Sequence, residues 1–294
     1  MKVLITGGTG FIGRHLIARL SGRHELFTLV RKQHQAPAGH SCSVVGSDLA
    51  RPLDHKLLPA EIDIIIHLAQ ANTSFPQAAD ELFAVNVAST QQLLDYARRA
   101  GARRFILASS GDVYGRRTGI CKESDSARPA NYYATTKYAS ELLATAYSDY
   151  LQPCILRFFQ PYGPSQSNRL IPKLAARILQ HQPIQLNKQG GPRVSPIFID
   201  DVACAVELAL ASSYCGVLNI AGDPVISMQV LAEEIGGALG VNPRFEYSGD
   251  EAFDIAGNNR LMMQVLGSWT MIGLADGLSR SLTRGEGTGW ETDA

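Results

Sequence analysis

Tyr133 and Lys137 stand four residues apart in the stretch NYYATTKYAS, and Ser110 closes an earlier apolar run, RRFILASS. A phenol titrates near ~10, so moving a proton with one at neutral pH requires a cation close by. On a helix, i to i+4 spacing puts the Lys137 ammonium on the same face as the Tyr133 phenol. An ammonium there favours the phenolate, and a serine hydroxyl can hold the oxygen that loses or gains the proton. Alone, Y-x-x-x-K is also an ordinary helix surface. The rest of the chain has to choose.

The choice is weighted by the N-terminal stretch ITGGTGFIGRHL, which sets Gly7, Gly10 and Gly13 in G-x-x-G-x-x-G spacing. It lies between a predicted strand, KVLIT, and a helix over residues 12–21 that Phe11 and Ile12 lead into. Such glycines let the backbone turn tightly and approach a pyrophosphate, whose charge then rests at a helix N-terminus. A glycine turn without a ligand is the plain alternative. The second strand, ELFTLV, is followed by Arg31 and Lys32, with no carboxylate to accept from a ribose 2′-hydroxyl. A guanidinium suits a 2′-phosphate instead, which favours NADP(H) while NAD(H) stays possible; a solvated basic turn is the other reading. Asp48 and Leu49, in GSDLA, follow the third strand, where Asp48 can accept from the adenine amine or simply close a turn. Ligands of a parallel sheet collect beyond its C-terminal strand ends, so Ser109 and Ser110 are expected beside the cofactor. The positive nicotinamide ring then joins Lys137 in lowering the Tyr133 pKa, and its carbon carries the hydride.

The elements that must position these groups alternate in the first half. KVLIT, ELFTLV, CSVVGS, DIIIHLA and RRFILASS read as strands, and ELFAVNVASTQQLLDYARRAG reads as one helix stopped at Gly101. This predicts an α/β fold: a Rossmann-type doubly wound parallel sheet with a smaller, partly interleaved C-terminal α/β substrate domain. The expected dinucleotide-binding domain is 1–160 plus about 194–215, where IFIDDVACAVELALA returns to it. The substrate domain is about 161–193 and 216–284, and 285–294 is a flexible tail. SARPAN and SQSN read as surface loops, the second within reach of the substrate. His15 and His67 read as packed, hydrogen-bonded histidines, and Asn86 as a mid-helix polar group that must find a partner.

Composition excludes several classes. The 294 residues are 45% hydrophobic and 18% charged, which suits a folded globule. Lys plus Arg and Asp plus Glu both number 27, so there is no net field to draw in nucleic acid or an anionic membrane. IDIIIHLA is too short to span a bilayer, and MKVLITGG enters a strand without a signal-peptide core. Five scattered cysteines without C-x-x-C spacing argue against a disulfide framework or a zinc site. The expected metal content is none, and the expected compartment is the cytoplasm.

Taken together, TGGTGFIG, HLAQ, SSGDVYG, YATTK and, less sharply, LRFFQPYGP and FIDDVA resemble the extended short-chain dehydrogenase/reductase family. The match is to its nucleotide-sugar epimerase, dehydratase and reductase branch, and it runs from residue 2 to about residue 284. The resemblance implies catalytic roles for Ser110, Tyr133 and Lys137. It implies that Leu68, Ala69 and Gln70 line the cofactor and that Phe159 sits near the nicotinamide. The resemblance also implies that Gln160 faces the substrate, where the family more often has asparagine. Arg193 is the nearest candidate for the arginine that contacts the substrate diphosphate, and it lies off the commonest register. Asn86 is implied to be a structural support. Family members often dimerise through two helices per subunit, here residues 80–100 and 132–150, which predicts a homodimer built on a four-helix bundle.

The reaction has to be chosen from the site. A dehydratase of this branch follows its catalytic hydroxyl with an acidic pair, but here the positions hold Gly111 and Asp112. Glycine offers no acid and aspartate is a methylene shorter than the usual glutamate, so 4,6-elimination is disfavoured; Asp112 can equally cap its own turn. Arg31 and Lys32 favour exchangeable NADPH, which puts a nucleotide-sugar 4-ketoreductase first. A 4-epimerase holding NAD is the alternative, a 4,6-dehydratase comes next, and a non-catalytic NADP-binding regulator comes last because such proteins tend to lose the Tyr/Lys pair.

Overall fold

Apolar runs with few polar interruptions fold as strands covered on both faces. The structure is a computed structural model that describes residues 1–31, 39–187, 190–249 and 253–282. The chain begins with β1 (Lys2–Thr6), α1 (Phe11–Leu20), β2 (Glu25–Val30), β3 (Ser43–Gly46) and β4 (Ile64–His67). Val3, Leu4 and Ile5 of β1 and Ile64, Ile65 and Ile66 of β4 are fully buried, as two-sided packing requires. The helix expected next is split. It comprises α2 (Ala79–Phe83), a π-helical turn (Ala84–Ala88) and α3 (Ser89–Arg99). The wider turn follows from Asn86, whose backbone oxygen accepts from the hydroxyls of Thr90 and Ser140, both at 2.6 Å. Then come β5 (Arg104–Ser110), α4 (Tyr132–Ala146) and β6 (Gln152–Phe158). Asn131 caps α4 by accepting from the Ala134 N–H at 2.8 Å, which fixes Tyr133 in its first turn.

The second half runs β7 (Pro161–Tyr162), α5 (Leu170–Leu179), β8 (Ile184–Asn187), β9 (Arg193–Val194) and β10 (Ile197–Phe198). It continues with α6 (Ile199–Ala211), β11 (Gly216–Ile220), β12 (Ile226–Ser227) and α7 (Met228–Leu239). β13 (Phe245–Ser248), α8 (Arg260–Leu266) and α9 (Leu274–Leu282) follow.

The main sheet has seven strands in the order β11-β6-β5-β4-β1-β2-β3. Every neighbouring pair in it is parallel. The chain winds outward from β1 in one direction and from β4 in the other, so their C-terminal ends flank the switch point where such sheets bind ligands. Residues 216–220, expected to open the substrate domain, instead complete this sheet, because VLNI is one more buried run and pairs with β6 from Gly216↔Cys154 to Ile220↔Phe158. α6 packs on α1. Short two-stranded pairs, β7–β10, β9–β12 and β8–β13, lie outside the main sheet. One apolar cluster joins Ile5 and Ile17 to Val206, Leu231, Met262 and Leu278, tying the two halves through a common core. Among the described residues no helix is long and apolar enough to cross a membrane. Lys32 and the tail 285–294 lie outside the described residues.

Candidate active site

The glycine loop is built so closely that side chains are excluded. Gly7 has φ +70°, and a Cβ there would lie 2.7 Å from the backbone nitrogen of Ala69. A Cβ on Gly13 would come within 2.1 Å of the Gly7 oxygen, so α1 packs directly against the turn that follows β1. Gly10 precedes α1 without a side-chain cap, and no acidic residue occupies the first turn, so its N–H groups are left for an external anion. The residues present therefore fit a dinucleotide pyrophosphate.

From this loop a cavity of about 880 Å³ extends along the C-terminal strand ends to α4. Gly7, Gly10, Phe11, Ile12 and Gly13 line its first part. Arg31, Asp48 and Leu49 line the side beyond β2 and β3. Asp48 also accepts from Ala50 N at 3.0 Å, so it closes its turn as well as facing the cavity. Leu68, Ala69, Gln70 and Ser109 form the middle, and Ser110, Tyr133 and Gln160 the far end.

The Tyr133 hydroxyl donates to Gln70 Oε1 at 2.8 Å, and Ser110 Oγ accepts from Asp112 N at 3.2 Å. Lys137 is one turn beyond Tyr133 but only 1% exposed, behind the cavity wall. Burial lowers its pKa to about 8, against the opposing pull of the Glu141 carboxylate. Tyr133 departs from expectation: burial, reinforced by the Asp112 carboxylate, pushes its phenol above the ordinary value, while Arg169, Ser110 and Gln70 oppose the rise. Sequence spacing reports which face a lysine shares, and it carries no information about how much water the tyrosine loses. Burial also raises the Asp112 pKa, with Ser110 and Arg169 opposing.

Three expected residues are redirected. Phe158, not Phe159, lines the cavity. Phe159 is 1% exposed and stacks on Tyr114 at 6.2 Å, because alternation at the end of β6 turns successive side chains to opposite faces. Gln160 reaches the wall, yet its amide is committed to backbone: Nε2 donates to Ile255 O at 2.9 Å and Oε1 accepts from Ser195 N at 3.2 Å. Arg193 lies off the cavity wall, where Asp254 Oδ2 accepts from its Nη2 at 2.7 Å and its Nε at 3.2 Å. Arg169, just after the SQSN loop, is on the wall with Arg14 and Arg31, and Ser165, Gln166 and Ser167 of that loop line the cavity too.

Behind the wall, several buried polar side chains are paired, although Arg157 Nη1 has no hydrogen-bond partner among the described residues. Glu141 accepts from the hydroxyl of Ser109 and from Arg157, whose guanidinium lies 4.6 Å from the Tyr114 ring centroid. Asn86 holds Ala71 through both its N–H (2.8 Å) and its oxygen (3.1 Å) and donates to Thr136 Oγ1 at 2.9 Å. His67 sits between Thr6 Oγ1 (2.7 Å) and Thr90 Oγ1 (3.1 Å), and burial lowers its pKa to about 3, keeping it neutral. The described cysteines are free thiols.

Comparison with known proteins identifies the family to which this fold belongs. The chain is 27% identical over 261 residues to YtcB of Bacillus subtilis, an uncharacterized UDP-glucose epimerase, covering 81% of this chain and 83% of that one. It is 31% identical over 246 residues to a dTDP-glucose 4,6-dehydratase of an Actinoplanes species, covering 76% and 77%. Among solved structures, MoeE5 in complex with UDP-glucuronic acid and NAD is similar at a TM-score of 0.82 and 29% identity, over 96% of this chain and 97% of that one. The UDP-glucuronic acid 4-epimerase of Bacillus cereus, in complex with NAD, shares the fold at a TM-score of 0.83 and 23% identity, over 96% and 95%. The model of the NAD dependent epimerase/dehydratase family matches residues 3–221, a span that starts inside β1 and stops one residue past β11. Family match and seven-stranded sheet are thus coextensive, and the chain belongs to the NAD dependent epimerase/dehydratase family.

Proposed function

We propose that this protein is a 4-epimerase of a UDP-linked hexose or hexuronic acid that works with a retained nicotinamide dinucleotide. The observation that carries the reading is that Ser110 and Tyr133 face one cavity while Gly111 is pressed against Phe159, with a would-be Cβ 2.5 Å from the ring. These two hydroxyls can exchange a proton with a sugar oxygen, and position 111, where elimination requires an acid, has no space for a side chain. A bound nicotinamide supplies a reversible hydride acceptor for the sugar C4 carbon. Ser110 Oγ holds the C4 oxygen, and Tyr133 takes its proton in the oxidising half and returns it after the keto sugar has turned over. Lys137 adds positive charge behind the phenol. The exposed Arg169 stands at the sugar end, where it suits an anionic substituent.

The similarity to YtcB, described as a UDP-glucose epimerase, supports epimerisation above the ketoreductase that the basic turn after β2 suggested, and the similarity to MoeE5, solved with UDP-glucuronic acid and NAD, supports a UDP-linked substrate and NAD. The ketoreductase stays as a second reading on one observation, Arg31 on the cavity wall, which also suits NADP(H). A homodimer is proposed through α2, α3 and α4, which pack together and leave Phe83 and Leu142 more than half exposed; light scattering reads its mass.

One substrate panel tests the function. UDP-glucose and UDP-glucuronic acid are offered without added cofactor, and a nucleotide 4-keto-6-deoxy sugar is offered with NADPH. Interconversion of C4 isomers in the first arm is expected. Steady NADPH consumption in the second arm without isomer formation in the first replaces the epimerase by the reductase.

A further inference from the structure

The residue that engages the Tyr133 hydroxyl is an uncharged amide delivered from another element. Gln70 follows β4 and lies 63 positions from Tyr133, yet its Oε1 accepts the phenolic hydrogen at 2.8 Å. The backbone on either side of it is pinned. Ala69 N donates to Thr6 Oγ1 at 3.1 Å, and Ala71 is held at both its polar groups by Asn86. The Gln70 side chain itself is exposed at the cavity rim, so it can turn about its own bonds while its base stays fixed.

A tyrosine that gives and retakes a proton presents two different hydrogen-bonding faces in turn. A phenol offers a hydrogen and needs an acceptor, whereas a phenolate needs donors. A carboxamide carries one acceptor oxygen and two donor hydrogens at the same end, so a half-turn serves either state. The charged groups around the phenol serve only one state each. Asp112, beyond β5, can only accept when ionised, and Arg169, before α5, can only donate; Glu81, in α2, lines the same cavity, and Lys137, on α4 itself, is buried behind its wall. Ser110 already accepts from Asp112 N and faces the sugar oxygen in the proposed reaction.

We propose that Gln70 is the reversible hydrogen-bond partner of Tyr133, accepting from the phenol and, after a half-turn of its amide, donating to the phenolate. The inference rests on the reading of Tyr133 as the proton carrier. It assigns Gln70 a catalytic part on the reacting oxygen, distinct from the cofactor contact expected from its sequence position.

The test compares the parent with Gln70→Glu and Gln70→Ala by two readouts. The first is the pH profile of kcat on whichever UDP-hexose the parent interconverts. A carboxylate can only accept, so Gln70→Glu is expected to move the limb set by Tyr133 upward by about one pH unit, roughly tenfold less turnover at neutral pH. Gln70→Ala removes a partner without adding charge and is expected to lose about threefold, the scale of one hydrogen bond. The second readout needs no substrate: the carbon-13 resonance of the Tyr133 Cζ in NAD-loaded protein, assigned by its disappearance in Tyr133→Phe. It is expected to shift in Gln70→Ala at neutral pH and to titrate at higher pH in Gln70→Glu than in the parent. An unmoved resonance overturns the proposal, and so does a moved resonance with superimposable pH profiles. A parent that interconverts no UDP-hexose refutes the epimerase reading separately, and the resonance titration then decides the role of Gln70.

Discussion

Glu141 and Arg157 form a bidentate pair, with Oε1 accepting from Nε at 3.0 Å and Oε2 from Nη2 at 2.6 Å, and their side chains are 3% and 5% exposed. The pair links α4 to β6 directly behind the cavity wall. Removing one partner strands a charge away from water. Glu141→Ala is therefore expected to lower stability by roughly 3–5 kcal/mol, read as a lower denaturant midpoint. A midpoint within error of the parent means that water reaches this pair.

Lys137 acts on stability in the opposite sense. Its folded pKa of about 8 lies below the ordinary 10.5, so between these values the unfolded chain binds more protons and stability rises with pH. Below about pH 8 the whole penalty is present, roughly 3 kcal/mol at ~1.4 kcal/mol per pH unit. Lys137→Met should raise the denaturant midpoint at pH 7 and lose that advantage between pH 8 and 10.5, while abolishing turnover. A variant no more stable than the parent at pH 7 contradicts the burial argument.

Tyr133→Phe keeps the ring and removes only the hydroxyl. Turnover is expected to fall by about 10²–10⁴, the range of a lost general acid–base group. Cofactor affinity by fluorescence titration should stay within about threefold, because the glycine loop is untouched. Retained turnover would move the proton to another group, with Asp112 first in line.

Gly111 and Phe159 should be energetically coupled. Phe159 also meets a would-be Cβ of Gly257 at 2.6 Å, so its ring has little freedom to retreat. Gly111→Ala is expected to destabilise by about 1–3 kcal/mol through overpacking. Phe159→Leu in the same chain should recover part of that, with a coupling of at least ~0.5 kcal/mol in a double-mutant cycle. Strict additivity of the two substitutions disproves the contact.

Arg31, on the cavity wall, is the residue whose substitution tests the cofactor preference. If its guanidinium takes a ribose 2′-phosphate, Arg31→Ala should weaken NADP(H) about tenfold relative to NAD(H), on the scale of one charge-assisted contact. An unchanged ratio of the two dissociation constants makes residue 31 a solvated turn cation and strengthens the case for NAD.

Much of the fold could be read from the chain because its signals are local. The buried strands are runs of Val, Ile and Leu; the turn after β1 needs Gly7 and Gly13; and the spacing of Tyr133 and Lys137 is a property of a single helix. The unreadable parts depend on partners distant in sequence. Arg193 was expected at the substrate, but Asp254, 61 positions on, holds it elsewhere. Phe159 was expected near the nicotinamide from the resemblance, but Phe158 lines the cavity, because nothing local fixes the phase with which β6 ends, where Gln160 follows at φ +40°. The π-helical turn depends on the Asn86 backbone oxygen accepting from Ser140, 54 positions on, as well as from Thr90, and the rise of the Tyr133 pKa depends on burial. Neither has a signature in the spacing of residues.

The outer neighbour of β6 is supplied late. β11 is encoded beyond α6, so during synthesis the run QPCILRF waits with a bare edge until Ile220 has cleared the ribosome. An unpaired apolar strand edge is a template for any extended segment nearby. A nascent chain stalled or proteolysed before Gly216 would therefore aggregate rather than persist as a separate nucleotide-binding fragment, although it would already carry every residue of the glycine loop.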